Sequence, residues 1–151
     1  MINLLKQNMI SRSDIFNDIF EFFLSSINYV ETSLILERLD KENEVFPNIP
    51  TMQVTWFNKS NNQLFVFSMY NNYVTDFIIK NGNNGKSISI NDFKRNKKNC
   101  EIEMYLLEGE INIKYKLYLI KILELIKTTE LLDVLEGKIW FDVPYDWQNQ
   151  K

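Results

Sequence analysis

The chain has 151 residues, of which 45% are hydrophobic and 25% are charged, and its formal net charge is −3. This composition is ordinary for one globular domain with an apolar core. The sequence contains no histidine, which excludes a Ser-His-Asp triad, a Cys-His pair and imidazole ligands for a metal. Its single cysteine, Cys100, excludes an internal disulfide and a zinc site built from several thiolates.

Composition also bears on the compartment and on the partners. The lone cysteine suits a reducing cytoplasm, and the acidic balance argues against nucleic acid as a partner. Residues 1–10 lack the long apolar segment and cleavage site of a secretory signal, and no stretch approaches the ~18 apolar residues of a membrane span. We therefore expect a cytoplasmic protein that binds neither nucleic acid nor membrane and holds no metal or other cofactor.

An amphipathic helix is predicted near the N-terminus. Ser11 or Ser13 is a candidate N-cap, and apolar side chains then recur at three- to four-residue spacing. They are Ile15, Phe16, Ile19, Phe20, Phe23, Leu24 and Ile27. The spacing resumes in Leu34, Ile35 and Leu39. This extends the predicted helical region to about Glu42, with a break near residues 31–33.

A series of strands is predicted after the helical region. Alternating or continuous apolar runs cover residues 51–57, 63–70, 73–80 and 87–90, and asparagine-rich turns separate several of them. Residues 91–99 are rich in lysine and asparagine, and they predict either a solvated connection or a short helical turn.

The segment 101–119 carries a pattern typical of a β-hairpin. If it folds back at residues 108–109, Leu106 faces Ile111 and one face of the hairpin is apolar. On the other face two glutamates meet two lysines, which favours the same register. A four-residue loop with that register is equally compatible with the pattern.

The remaining residues predict a helix and a last strand. Leucine and isoleucine at helical spacing predict a helix over residues 122–135, broken at 128–129 and closed by Gly137. Residues 138–143 alternate and predict a strand. The chain is therefore predicted to form a single α+β domain over residues 1–151. Its antiparallel sheet has about five to seven strands, with the N-terminal helical region and a C-terminal helix packed on one face.

Asp76, Asp92 and Lys94 fit the outline of the PD-(D/E)xK nuclease pattern. That chemistry needs two carboxylates to hold a divalent metal and a lysine to orient the attacking water. The spacing arises easily by chance in a chain with this many charges, and the polar residues 95–99 do not predict the helix that follows the lysine in such enzymes. A metal-dependent nuclease is therefore the lesser alternative, and no catalytic residue is predicted.

Aromatic and acidic side chains are interleaved near the C-terminus. They are Trp140, Phe141, Tyr145 and Trp147, beside Asp142 and Asp146. Such a mixture suits a recognition surface for a basic partner. The other interpretation is that Trp140 or Phe141 belongs to the core. Glu108 and Glu110, at the tip of the predicted hairpin, are the second candidate contact.

These observations favour a binding protein over an enzyme. The sequence has no alanine and is rich in asparagine, isoleucine and lysine, which indicates an AT-rich gene. Small acidic domains from such genes are typical of bacterial immunity proteins, the antitoxins that neutralise a toxin delivered by a neighbouring cell. We expect a protein-binding inhibitor of this type, which occludes the active site of a cognate toxin such as a nuclease. The alternative is another protein-interaction module, such as a phage-encoded inhibitor or adaptor.

Overall fold

The computed structural model of the chain describes residues 4–36, 52–70, 75–95 and 109–143. The described part begins with a long helix, continues through the strands of one sheet and ends in helices. In chain order the elements are α1 (Leu4–Ser26), β1 (Tyr29–Leu36), β2 (Met52–Asn58), β3 (Gln63–Met69), β4 (Thr75–Asn81), β5 (Ser87–Ser89), α2 (Ile90–Arg95), α3 (Ile111–Thr128) and α4 (Leu131–Leu135). The predicted α+β fold class is confirmed.

The five strands form an antiparallel meander in which each strand lies beside the next one in the chain. The register places Trp56 of β2 opposite Phe65 of β3, and Phe67 of β3 opposite Phe77 of β4. Successive side chains of a strand point to opposite faces, so these aromatic residues share one face of the sheet. That face is covered by helices and holds the core.

The centre of the core is a cluster of phenylalanine rings. The ring centroid of Phe16 in α1 lies 4.7 Å from that of Phe20 and 4.6 Å from that of Phe67 in β3. The ring centroid of Phe77 in β4 lies 4.7 Å from that of Phe67 and 6.4 Å from that of Phe16. All four side chains are fully buried. Because burying one phenylalanine stabilises a fold by ~1.5–3 kcal/mol, this cluster is a major source of stability.

Helix α3 packs on the same face of the sheet beside α1. Its buried side chains recur at helical spacing and are Tyr115, Tyr118, Leu119, Ile122, Leu125 and Ile126. The ring of Tyr118 lies 6.2 Å from that of Phe77. The hydroxyl of Tyr115 donates a hydrogen bond of 2.7 Å to the carbonyl oxygen of Arg12, which ties α3 directly to α1.

The predicted hairpin over residues 101–119 is wrong in its second arm. Residues 111–119 are the first half of α3, while residues 101–108 lie outside the described part of the chain. The alternation of Ile111, Ile113 and Tyr115 satisfies a strand, but the same run also continues the helical spacing that reaches Ile126. A helix of five turns buries one continuous stripe, and that longer period decides the structure.

The N-terminal helical region differs from its prediction at both ends. Helix α1 begins at Leu4 rather than after a serine cap, and the hydroxyl of Ser13 donates instead to the carbonyl oxygen of Ile10 within the helix. It stops at Ser26, where Asn28 adopts a positive φ of 73°, and residues 29–36 form β1. This segment is rich in β-branched residues, which favour a strand once it can pair with β2.

Three further predictions concern residues after β5, and the structure confirms two of them at least in part. The helical alternative for residues 91–99 is confirmed in its first half by α2. The break at residues 128–129 is also confirmed, since α3 ends at Thr128, and Gly137 follows α4 with a φ of 78°. The last strand over residues 138–143 is wrong, because those residues are in none of the sheet's ladders.

Candidate interaction surface

Within the described part of the predicted C-terminal patch, two aromatic side chains pack inward and one acid is exposed. Trp140 and Phe141 are half-buried against the core, and the ring of Phe141 lies 6.1 Å from that of Phe93 in α2. Asp142 is exposed, and its carboxylate pairs with the Lys86 ammonium at 3.4 Å. Part of the surface of Trp140 and of Phe141 is therefore buried against the core and is not available to a partner.

The other predicted contact residues of this patch are Tyr145, Asp146 and Trp147, which lie outside the described residues. Glu108, at the tip of the predicted hairpin, also lies outside them. Glu110 is described, and it is the N-cap of α3: its carboxylate accepts a hydrogen bond of 3.2 Å from the backbone N–H of Asn112. A capping carboxylate at a helix N-terminus stabilises the helix, which explains Glu110 without a partner.

Asp76, the first acid of the nuclease pattern, lies on the face of the sheet opposite the helices. Its carboxylate accepts hydrogen bonds from the Ser89 hydroxyl at 3.0 Å and from the backbone N–H of Phe77 at 2.8 Å. Burial raises the pKa of Asp76, the hydrogen bonds from Ser89, Phe77 and the Asn91 backbone lower it, and the charge of Asp92 raises it further. The two acids of the pattern are therefore close enough to interact.

Lys94, the third member of the pattern, lies on the other side of the sheet. Its side chain is only 5% exposed, and the ammonium lies 5.4 Å from the ring centroid of Tyr118, over the ring. The Tyr118 hydroxyl accepts a hydrogen bond from Thr75, which precedes Asp76 and points to the opposite face. The Lys94 ammonium therefore contacts α3, on the helical side of the sheet, whereas the Asp76 carboxylate lies on the opposite face.

The part of the chain that the structure describes holds no group of three or more histidine, cysteine or acidic side chains that could bind a metal ion. A polar depression of about 530 Å³ lies where the end of α1, the turn between β2 and β3 and the end of α4 meet. Its lining includes Asn28, Asn58, Asn61 and Glu136.

Among the helices of the described residues, none combines the length and low polarity needed to cross a membrane.

The outward side of α1 carries a row of acids that the sequence analysis did not select. Asp14, Asp18 and Glu21 are spaced by four and three residues, so they form one stripe along the helix, and all three are exposed. Glu31 of β1 lies beside the stripe, where its carboxylate accepts a hydrogen bond of 2.9 Å from the Asn17 amide. No ion pair within the described residues involves the three acids of the stripe.

Phe22 lies next to this stripe and is 87% exposed, more than any other large hydrophobic side chain among the described residues. It follows Asp18 by four residues, so its ring lies along the acidic stripe. We call Asp14, Asp18, Glu21 and Phe22 the acidic face of α1. A signal for it was present in the sequence: Phe16, Phe20 and Phe23 fit one apolar stripe, while Phe22 falls outside it.

Comparisons with known proteins give no relative from which a function could be transferred. No protein-family model, curated protein or solved structure matches the chain.

Proposed function

We propose that this protein binds another protein, one with a basic surface, through the acidic face of α1. The observation that carries the proposal is the exposure of Phe22 beside three exposed carboxylates that form no ion pair within the described residues. An aromatic ring that is 87% in water contributes nothing to the core, yet it supplies a large apolar contact once a partner covers it.

The charged and apolar parts of this face have different tasks in binding. Asp14, Asp18 and Glu21 attract a basic surface and raise the association rate, since their charges act before contact. Phe22 slows dissociation, because its ring must be returned to water when the complex separates. Interfaces of this kind combine a desolvated anchor with a ring of complementary charge.

The biological form of the proposal is an inhibitor in the cytoplasm, of the type of bacterial immunity proteins. The basic surface would be the active site of a cognate toxin, and a nuclease has such a site because it binds phosphates. Occlusion of that site needs no catalytic residue on the inhibitor. Another protein-interaction module, such as a phage-encoded inhibitor or adaptor, would use the same face in the same way.

The C-terminal patch, the first contact that the sequence predicts, remains a predicted contact. Asp142 is exposed at its described end, although its carboxylate already pairs with Lys86. A partner that uses Asp142 must compete with this ion pair, whereas Asp14 and Asp18 form no ion pair in the part of the chain that the structure describes. The acidic face of α1 is therefore the first surface to test.

The test measures association and dissociation rates with the product of the adjacent gene, the first partner to examine for an immunity protein. We expect Phe22→Ser to raise the dissociation rate by roughly tenfold or more, the scale of losing an anchor side chain. The pair Asp14→Lys and Asp18→Lys should mainly lower the association rate and weaken its salt dependence.

Two charge-reversal variants make this experiment selective. Glu124→Lys changes an exposed acid on the neighbouring helix α3 and should leave the rates nearly unchanged. Asp142→Lys reports on the C-terminal patch. If Asp142→Lys slows association while the α1 variants bind as the unmodified chain does, the partner contacts the C-terminal patch and the proposal for α1 is wrong. If the neighbouring protein is a biosynthetic enzyme that does not bind, the immunity proposal is wrong.

A further inference from the structure

The outward side of α3 carries an apolar stripe that the core does not use. Ile113, Leu117 and Ile120 are 53%, 41% and 41% exposed. They are spaced by four and three residues, so they lie in one line along two turns of the helix. On the opposite side of the same turns, Tyr115 and Tyr118 are buried. Helix α3 therefore has two apolar faces, and only one of them contacts the sheet.

Lysines flank this stripe on both sides. Lys116 and Lys121 are exposed and Lys114 is partly exposed, and each follows or precedes a stripe residue by one position. No ion pair within the described residues involves any of these three lysines. We call Ile113, Leu117 and Ile120, together with the three lysines, the lysine-flanked stripe.

The spacing of the stripe is that of a coiled-coil seam. In heptad terms Ile113 and Ile120 take d positions and Leu117 takes the a position between them. Lys114, Lys116 and Lys121 then occupy e, g and e positions, where charged side chains select the partner helix. A partner that presents apolar side chains at a and d and acids at e and g matches the stripe in both shape and charge.

We propose that the lysine-flanked stripe of α3 docks an acidic amphipathic helix presented by another protein. This surface is distinct from the acidic face of α1 and has the opposite charge, so it does not depend on the function proposed above. The two surfaces belong to neighbouring helices, and a protein that uses both joins a basic partner to an acidic one.

Charge and composition disfavour the other occupants of the stripe. A second copy that pairs α3 with α3 brings lysines against lysines, because the flanking positions that meet across a two-helix seam are lysines on both sides. An anionic membrane surface fits less well, because the stripe holds no tryptophan or tyrosine and its line continues into Glu124. The acidic face of the adjacent α1 would also approach the anionic lipid.

The test uses a synthetic three-heptad peptide with isoleucine and leucine at a and d and glutamate at e and g. Its own glutamates repel one another, which keeps it from pairing with itself. A matched peptide with lysine at e and g is the control. Binding of each labelled peptide to the full-length protein is measured by fluorescence anisotropy. We expect the acidic peptide to bind and the lysine peptide to bind at least about tenfold more weakly.

Variants assign the binding to the stripe. Leu117→Gln, and the pair Lys116→Glu and Lys121→Glu, should each weaken the acidic peptide by roughly tenfold, while Lys59→Glu, an exposed lysine outside the helices, should not. Circular dichroism of each variant shows that the fold is kept, and Lys116→Glu with Lys121→Glu should instead bind the lysine peptide. This reversal is a gain of binding that misfolding cannot produce.

Several outcomes overturn the proposal. Equal binding of both peptides, or binding that the stripe variants leave unchanged, removes the stripe as a helix-docking site. The same holds if neither peptide binds while vesicles of phosphatidylglycerol and phosphatidylcholine do, since the occupant is then a membrane. A dimer in sedimentation analysis that Leu117→Gln dissociates, without peptide binding, assigns the stripe to a second copy.

Discussion

Helices α1 and α3 lie side by side on the same face of the sheet. Their inner sides are both apolar and aromatic, whereas their outer sides carry charges of opposite sign. The inner side of α1 presents Phe16 and Phe20 to the sheet, and the inner side of α3 presents Tyr115 and Tyr118. The outer side of α1 is acidic with an exposed phenylalanine. The outer side of α3 is aliphatic and flanked by lysines.

This difference shows which residues the fold requires. Packing on one aromatic sheet face explains the inner sides of both helices, because each buries an apolar stripe there. Neither outer side is needed for that packing, and two helices that only had to be solvated would mix charges of both signs on their surfaces. The outer side of α1 carries three acids, whereas the apolar stripe of α3 is flanked by three lysines and ends before Glu124. We interpret these two outer sides as binding surfaces.

The largest expected effect contrasts two phenylalanines of the same helix. Phe16→Ala should lower the free energy of unfolding by ~3–5 kcal/mol, because it leaves a cavity among buried rings. Phe22→Ala should change it by no more than about 0.5 kcal/mol, since that ring contacts mainly water. Urea denaturation of both variants measures the two values. Similar losses at the two positions would show that Phe22 is packed and would break the distinction between the inner and outer sides of α1.

Phe16 and Phe22 also show which features of α1 the sequence predicts and which it does not. The spacing of Phe16, Phe20, Phe23 and Leu24 predicted the helix and its core side, and strand alternation predicted the meander from β2 to β5. The acidic face does not follow from the spacing, because polar residues opposite an apolar stripe ordinarily indicate only a solvated side of a helix. Whether an outward phenylalanine is covered by another element depends on tertiary packing, which local periodicity does not contain.

The error at α3 has a different physical cause. Residues 111–119 satisfy a strand period and a helix period together, and the cross-strand charge pairs favour the strand. Lys114 and Lys116, which the hairpin pattern pairs with glutamates, instead flank the exposed stripe of α3. Local pairing energies of a few tenths of a kcal/mol could not decide between the two, whereas burial of Tyr115, Tyr118 and Leu119 on one helix side did.

A smaller effect is expected at the junction of the two helices. Tyr115→Phe removes the hydroxyl that donates to the carbonyl oxygen of Arg12 and keeps the ring. It should lower the free energy of unfolding by ~0.5–1.5 kcal/mol, the usual net value of one hydrogen bond. Urea denaturation beside the unmodified protein gives the difference. An unchanged stability would mean that ring packing alone holds α3 against α1.

A pH-dependent effect is expected on the face of the sheet that neither helix touches. Burial raises the folded-state pKa of Asp76, so the folded protein binds this proton more tightly than the unfolded chain does. Asp76 therefore lowers stability as pH rises above the ordinary aspartate range and through its raised pKa, and the loss is complete above that pKa. Below the ordinary range the carboxyl is protonated in both states and the effect is absent.

Asp76→Asn tests this assignment. The amide oxygen can still accept from Ser89 and from the Phe77 N–H, but the side chain no longer ionises. We expect the variant to be more stable than the unmodified protein at neutral pH, with a difference that shrinks as pH falls. Free energies of unfolding over pH 3–8 supply the comparison, and a gain that is the same at every pH would contradict a raised pKa.

The smallest effects on stability are expected for charge reversals on the outer sides. Asp14→Lys on α1 and Lys116→Glu on α3 should each change the free energy of unfolding by no more than about 0.5 kcal/mol, because both side chains are exposed and unpaired among the described residues. Thermal denaturation of each variant at low and high salt measures these changes in stability. A loss above about 2 kcal/mol at either position would mean that the charge takes part in folding.

Binding and stability measured on the same Phe22→Ser sample test whether the acidic face of α1 is the binding surface. The binding partner is the product of the adjacent gene, and the free energy of unfolding is taken from urea denaturation. We expect the variant to lose affinity by roughly tenfold or more while its stability stays within about 0.5 kcal/mol of the unmodified protein. Full affinity for that partner in a folded Phe22→Ser variant would contradict the claim that the acidic face of α1 is the binding surface.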